Sequence, residues 1–354
     1  GTKPLIILGG SNALASQGIL FSENEALTDA VYFGEGEKNV SEIVKILSEC
    51  PSEKRRDALM QMQGNIKGLR VFGAPSSVVR KATYSGTNTE LLANAKQALF
   101  DSSEAGTVRL MISYDCPSFC TFCFEGWERK PYREVPFPEL IAAAKHLKME
   151  TGADTLEITA FNFNTHTDIT RIITEMNKIF SQVNFMSQRA DILASNSALA
   201  AYETAAGKRQ YTLGAEGISE HMRSYFNKNL NEQTLLQAMS LLMNQNSVKE
   251  IKLFYILSGI ESPEDFSDFR QFLAKIAELK TQYSSPARIL CSFGLLVRMP
   301  FTPLRYEKLL MTEEAWKPVV EQTRFAVESA GYEFRLTYPY EEYFLSQTLV
   351  LTNQ

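Results

Sequence analysis

The stretch Tyr114-Asp115-Cys116-Pro117-Ser118-Phe119-Cys120-Thr121-Phe122-Cys123-Phe124-Glu125-Gly126-Trp127 puts three of the chain's five cysteines into one short loop. Five cysteines in 354 residues are too few for a disulfide scaffold, so the clustering points to metal held in a reducing compartment. Three thiolates at x3 and x2 spacing can each bind one iron of a four-iron cluster, which leaves the fourth iron without a protein ligand and open to substrate. A structural zinc site wants four closed ligands, and His146 or His166 would have to supply the fourth. Cys50 and Cys291 stand apart and read as buried, unreactive thiols.

The apolar run 107–113 just before the loop reads as a strand, so the cysteines sit at a strand's carboxyl end, where sites gather in α/β folds. Beyond it, short apolar runs at 155–160, 183–187, 211–215, 251–257 and 288–296 alternate with helix-like spacing at 137–150, 167–180, 196–206, 232–245 and 263–282. Six such units predict an α/β fold: a parallel sheet with outer helices, curved into an open or partial barrel. A helix near 312–331 and a strand near 333–338 close the chain.

Upstream, Pro4-Leu5-Ile6-Ile7-Leu8 runs into Gly9-Gly10, and Asp29-Ala30-Val31-Tyr32-Phe33 runs into Gly34-Glu35-Gly36-Glu37. Apolar runs ending in glycines fit buried parallel strands whose carboxyl ends face a ligand crevice. Residues 38–48 look helical, 51–70 are polar and charged, and Gly73-Ala74-Pro75 marks a boundary. The expected divisions are 1–75, 76–310 for the barrel, and a 311–354 extension.

With 36 Lys+Arg against 41 Asp+Glu and 44% hydrophobic residues, the chain is neither disordered nor a bulk polyanion binder. This balance, with no basic appendage, argues against nucleic acid as a partner and against an RNA-modifying methylthiotransferase-like role. Neither a membrane-length apolar run nor a signal-peptide layout is present, which makes a cytoplasmic location the expectation. The chain opens without Met directly into an apolar run, and is expected to be a piece of a longer one.

The loop resembles the signature of the radical S-adenosylmethionine (SAM) superfamily, Cys-x3-Cys-x-aromatic-Cys, filled here by Cys116, Cys120, Phe122 and Cys123. The resemblance implies a [4Fe–4S] cluster on the three cysteines and SAM on the open iron. An electron from the cluster then cleaves the sulfonium to a 5′-deoxyadenosyl radical. It places Phe122 beside the adenine. Leu156-Glu157-Ile158-Thr159-Ala160-Phe161-Asn162-Phe163-Asn164 falls where the family contacts the SAM amino group, which nominates Thr159 and Phe161; the usual Gly-Gly-Glu is absent. Gln188-Arg189-Ala190-Asp191 and Leu213-Gly214-Ala215-Glu216-Gly217-Ile218-Ser219 resemble segments that hold ribose and carboxylate. They nominate Gln188, Arg189 and Glu216, with Lys228 from Phe226-Asn227-Lys228-Asn229. Gly259, in Ser258-Gly259-Ile260-Glu261, matches the fifth-strand glycine, and Met299-Pro300-Phe301-Thr302-Pro303-Leu304 an architectural proline element.

The amino-terminal glycine turns resemble the last part of the Rossmann-like cobalamin (B12)-binding domain that precedes many such barrels. Its usual cobalt-ligating His motif is not in this chain, so cobalamin binding is an open expectation. With cobalamin, methylation of an unactivated carbon would follow; without it, rearrangement, oxidation or cyclisation. The rival from another class is a non-catalytic zinc or iron–sulfur protein. The family resemblance also implies a small-molecule or peptide substrate and an electron donor such as flavodoxin or ferredoxin. Tyr338-Pro339-Tyr340-Glu341-Glu342-Tyr343 is a candidate substrate lining.

Overall fold

The computed structural model describes residues 4–21, 26–75, 78–84, 105–185 and 188–351. The amino-terminal piece is a three-stranded sheet in the order β1 (Ile7–Gly9), β2 (Ala30–Tyr32), β3 (Leu69–Val71). β1 and β2 are parallel, as their glycine-ended runs implied, but β3 is antiparallel to β2. The stretch 51–70, expected only to be polar, contains a helix, Arg55–Met62, whose Leu59 and Met62 are buried, and runs into β3. The expectation of two buried strands is corrected for the first: β2 is buried throughout, whereas Leu8 of β1 is 38% exposed. β1 pairs with β2 alone among the described residues.

The barrel begins with β4 (Thr107–Met111), followed by the short antiparallel pair β5 (Ser113–Tyr114) and β6 (Arg133–Glu134) that brackets the cysteine loop. β7 (Thr155–Thr159) and β8 (Gln182–Phe185) complete one parallel sheet in the order β4-β7-β8. Positions 186–187 of the expected third strand lie outside the described residues. β9 (Gln210–Glu216), β10 (Glu250–Leu257), β11 (Arg288–Leu295) and β12 (Glu333–Leu336) form a second parallel sheet, and the bridge Gln188–Leu213 joins the two. The six expected βα units are therefore present, with β12 extending the wall beyond the sixth strand.

Continuous apolar runs form these strands because helices cover the outer face while the core fills the inner one. Ile251, Leu253, Tyr255 and Leu257 of β10 are all fully buried. Helix Ile169–Ile179 buries Ile169, Ile172, Ile173 and Met176, the i, i+3, i+4, i+7 stripe of a surface helix. Helix Pro263–Gln282 starts at a capping box, in which Ser262 accepts from the Asp265 N–H and Asp265 accepts from the Ser262 N–H. Helix Glu313–Ser329 buries Trp316 against Tyr343 of the last helix, Tyr340–Leu351. No described helix is long and apolar enough to cross a membrane.

Candidate active site

The cysteine loop leaves β5 through Asp115, a non-glycine residue held at φ 66, and returns through helix Phe124–Glu128 into β6. It is moored largely through its own backbone. Thr121 N–H donates to the Phe226 carbonyl at 3.0 Å and Thr121 O accepts from Leu304 N–H at 3.3 Å. Thr121 Oγ1 donates to Tyr225 O at 2.9 Å, Trp127 Nε1 to Cys120 O at 2.9 Å, and Asn227 Nδ2 to Phe119 O at 2.8 Å. Lys130 Nζ donates to the Cys116 and Ser118 carbonyls.

Within this frame Cys116 and Cys120 are buried and Cys123 half-buried. Burial pushes the Cys123 thiol up to about 11, with the neighbouring Cys120 and Cys116 adding to the rise. Burial likewise raises Cys120, against the pull of Lys228 and Arg189. Three soft donors in one eight-residue loop, largely removed from water, favour metal, which displaces their protons, although among the described residues no three His, Cys, Asp or Glu side chains converge tightly enough to hold a single metal ion. The donor set fits an iron–sulfur cluster. Asn162 Nδ2 donates to Cys116 Sγ at 3.7 Å, and hydrogen bonds to the sulfurs are one means of tuning such clusters. Cys291 is fully buried and Cys50 half-buried, both away from the loop.

A cavity of about 520 Å³ on one side of the loop is lined by Cys120, Arg189 and Lys228. Arg189 is gripped by Asp191 at 3.0 and 2.7 Å and also reaches Ser118 Oγ. Lys228 Nζ lies 3.3 Å from Glu216 Oε1, and Glu216 itself is held at φ 65 at the end of β9. Left-handed backbone occurs at Asp115, Glu216, Asn227 (φ 50) and Phe301 (φ 61), all at or beyond strand carboxyl ends, and also at Ser284 (φ 47) ahead of β11. Phe122 packs edge-on to Phe226, centroids 5.3 Å apart. Thr159 closes β7 and takes Ile112 N–H on its carbonyl at 3.1 Å, while Phe161 stands 44% exposed.

Two nominated residues are engaged elsewhere. Gln188 is buried, and its amide donates to Glu203 at 3.3 Å. Gly259 lies at φ +82, a left-handed conformation that by itself favours glycine, and a Cβ there would also meet the tip of the Leu310 side chain.

Sequence reasoning missed the clasp beneath the loop. Arg133 bonds Asp115 at 3.1 Å and Glu35 of the amino-terminal piece, and Glu35 also accepts from the Tyr84 N–H. Burial raises the Asp115 carboxyl, Glu35 adds to the rise, and Arg133 opposes it. Arg129 donates to Ser11 Oγ at 2.8 Å, a second tie to the same piece.

A groove of about 1440 Å³ runs between β1, β2 and helix Asn39–Glu49, bordered by Gly9, Gly10, Gly34 and Gly36. Gly34, at φ +98, would set a Cβ 2.1 Å from Ala82 O, so it is glycine because residue 82 pairs with it. No His lines the groove. His146 is exposed on helix Phe137–Thr151. His166 has Nε2 against Val135 O and Nδ1 accepting from Asp168 N–H. His221 pairs with Asp265. These residues do not fit a cobalamin ligated by an imidazole of this chain.

A parallel α/β barrel with a three-thiol loop after its first strand defines a class of metal-cluster proteins. Residues 110–273 match the family model described as Radical SAM superfamily. No curated protein sequence matches. Among solved structures the fold is similar to that of TsrM from Kitasatospora setae, a radical SAM methyltransferase with cobalamin and a [4Fe–4S] cluster bound. The TM-score is 0.54 and the identity 15%, over 84% of this chain and 58% of that one. It is also similar to OxsB, a cobalamin-dependent SAM radical enzyme, with TM-score 0.54 and identity 14% over 76% of this chain and 39% of that one. The chain thus spans little more than half of TsrM and about two fifths of OxsB.

Proposed function

We propose that this chain is a radical SAM enzyme that binds a [4Fe–4S] cluster on Cys116, Cys120 and Cys123 and reductively cleaves SAM. The observation that carries the reading is the backbone-moored trio of largely buried thiols beside a cavity lined by Arg189 and Lys228. Such a cluster, when bound and reduced, would supply the one electron that breaks a C–S bond of the sulfonium to give methionine and a 5′-deoxyadenosyl radical. The residues do the rest. Arg189 and Lys228 attract the methionyl carboxylate, Glu216 accepts from the ribose hydroxyls, and Phe122 packs on the adenine. Thr159 and Phe161 lie on the segment that faces the amino group. The surrounding apolar wall keeps water from the radical.

The electron comes from a carrier such as flavodoxin or ferredoxin, in a reducing cytoplasm, and the substrate is a small molecule or peptide. The finer reading is cobalamin-dependent methylation of an unactivated carbon. Likeness of fold to TsrM and OxsB supports it, as does the groove beside Gly9-Gly10, though no imidazole of this chain serves the cobalt. Cobalamin retained through gel filtration, with S-adenosylhomocysteine formed beside 5′-deoxyadenosine, would support that reading. 5′-Deoxyadenosine alone would favour rearrangement, oxidation or cyclisation.

The test of the main reading is Cys120→Ala after anaerobic reconstitution. It should abolish both the brown cluster absorbance and the release of 5′-deoxyadenosine from SAM, while Cys291→Ala keeps both. Retention of the cluster in Cys120→Ala, or zinc without iron in the parent protein, would overturn the assignment.

A further inference from the structure

The segment that follows β7 folds into a single tight turn, Phe163–Thr165, with Asn164 at its centre. Asn164 is 2% exposed, and both ends of its side-chain amide engage the backbone of one distant residue. Nδ2 donates to the Arg189 carbonyl and Oδ1 accepts from the Arg189 N–H, each at 2.9 Å. The turn that carries this clamp is itself fixed. Phe163 is fully buried and stacks on Phe185 with centroids 5.3 Å apart, and Lys208 Nζ lies 4.7 Å from the Phe163 ring centroid. Thr165 Oγ1 donates to Asn162 O at 2.7 Å, and Tyr132 Oη lies 3.1 Å from Thr165 Oγ1.

A guanidinium has five N–H donors in a rigid fork. At Arg189, Asp191 takes two of them and Ser118 Oγ one, which among the described residues leaves two for a ligand. Because Asp191 already offsets the positive charge, what a carboxylate gains from Arg189 rests on directed hydrogen bonds, and these fail when the fork is displaced. A side chain as long as arginine keeps its direction only where both its backbone and its tip are held. Asp191 and Ser118 hold the tip, and Asn164 holds the backbone. Resting on the reading of Arg189 as an anchor of the SAM carboxylate, we propose that Asn164 is a positioning residue that acts through Arg189 and so sets the affinity for ligands that carry that carboxylate. The residue type suits the task, since an amide both donates and accepts, whereas an ionised Asp would lose the donor and Leu would lose both groups.

The experiment uses the full chain, anaerobically reconstituted and without reductant. Equilibrium dialysis measures S-adenosylhomocysteine, which carries the carboxylate, and 5′-methylthioadenosine, which has the nucleoside and the sulfur without it. Asn164→Leu keeps the volume and removes both hydrogen bonds. It should weaken S-adenosylhomocysteine about tenfold and leave 5′-methylthioadenosine within about twofold of the parent. Arg189→Gln should show the same pattern, and the double variant should lose no more than Arg189→Gln alone, because the first residue acts through the second. Iron content and circular dichroism show that the variants are loaded and folded. An S-adenosylhomocysteine affinity untouched by Asn164→Leu, equal loss of the two ligands, or losses that multiply in the double variant would overturn the proposal. If Arg189→Gln also leaves S-adenosylhomocysteine unchanged, the reading of Arg189 as the anchor fails and the proposal with it. An effect of Arg189→Gln without one of Asn164→Leu sinks the proposal alone.

Discussion

Replacing Arg133 with Gln removes the guanidinium that joins two buried carboxylates. The Glu35 and Asp115 side chains are 6% and 2% exposed, and Arg133 itself only 17%. Breaking a buried pair from one side costs about 3–5 kcal/mol, and the partial exposure of Arg133 places this case near the lower end. Glu35→Gln should cost about 1 kcal/mol, because Arg133 keeps Asp115 and the amide still accepts a hydrogen bond. The double variant leaves a single orphan carboxylate and should be more stable than Arg133→Gln alone. Because Asp115 precedes Cys116, the damage should appear as local opening of the loop. Hydrogen exchange in a peptide spanning 113–123 of the metal-free chain should quicken roughly 100-fold in Arg133→Gln, which corresponds to about 3 kcal/mol. The double variant should recover part of that protection. Exchange within threefold of the parent in Arg133→Gln, or no recovery in the double variant, would refute the clasp.

Glu216→Ala should weaken SAM binding about tenfold, the worth of one charge-assisted hydrogen bond, with iron content unchanged; unaltered affinity would remove Glu216 from the site. Asp265 gives the pH prediction. Burial pushes its carboxyl up, but hydrogen bonds from Ser219, Ser262 and His221 outweigh burial and hold it below the usual range. A depressed carboxylate contributes stability that is fully present above its unfolded value of about 4 and is lost as pH falls through the folded value. Asp265→Asn should therefore lose about 1–2 kcal/mol at pH 7 in urea unfolding, with the gap to the parent narrowing below about pH 4. A gap that stays constant down to pH 3 would contradict this.

The barrel was legible because parallel strands covered on both faces leave continuous apolar runs, and their helices leave a 3.6-residue stripe. The six runs from 107 to 296 appear as β4 and β7 to β11, and helix 263–282 appears with those bounds. The cysteine loop was legible for a chemical reason, since few structures other than a metal site gather three thiols in so short a stretch. What stayed hidden depends on partners far along the chain. Leu69-Arg70-Val71 is too short to announce an antiparallel strand, and nothing local in Glu35 foretells Arg133, 98 positions away. Gly34 and Gly259 show the limit of reading glycine as a mark of ligand approach. The Ala82 backbone occupies the space a side chain would need at Gly34, and Gly259 is held at φ +82, facts that the sequence does not display.

The mooring of the cysteine loop bears on what the loop needs from the rest of the chain. Thr121 is tied on one side to Phe226 and Tyr225 and on the other to Leu304, contacts that close only when distant parts of the barrel are already assembled. The backbone of the loop thus depends on the barrel folded around it. A chain truncated before Leu304 would lack one tie of the loop even with all three cysteines intact.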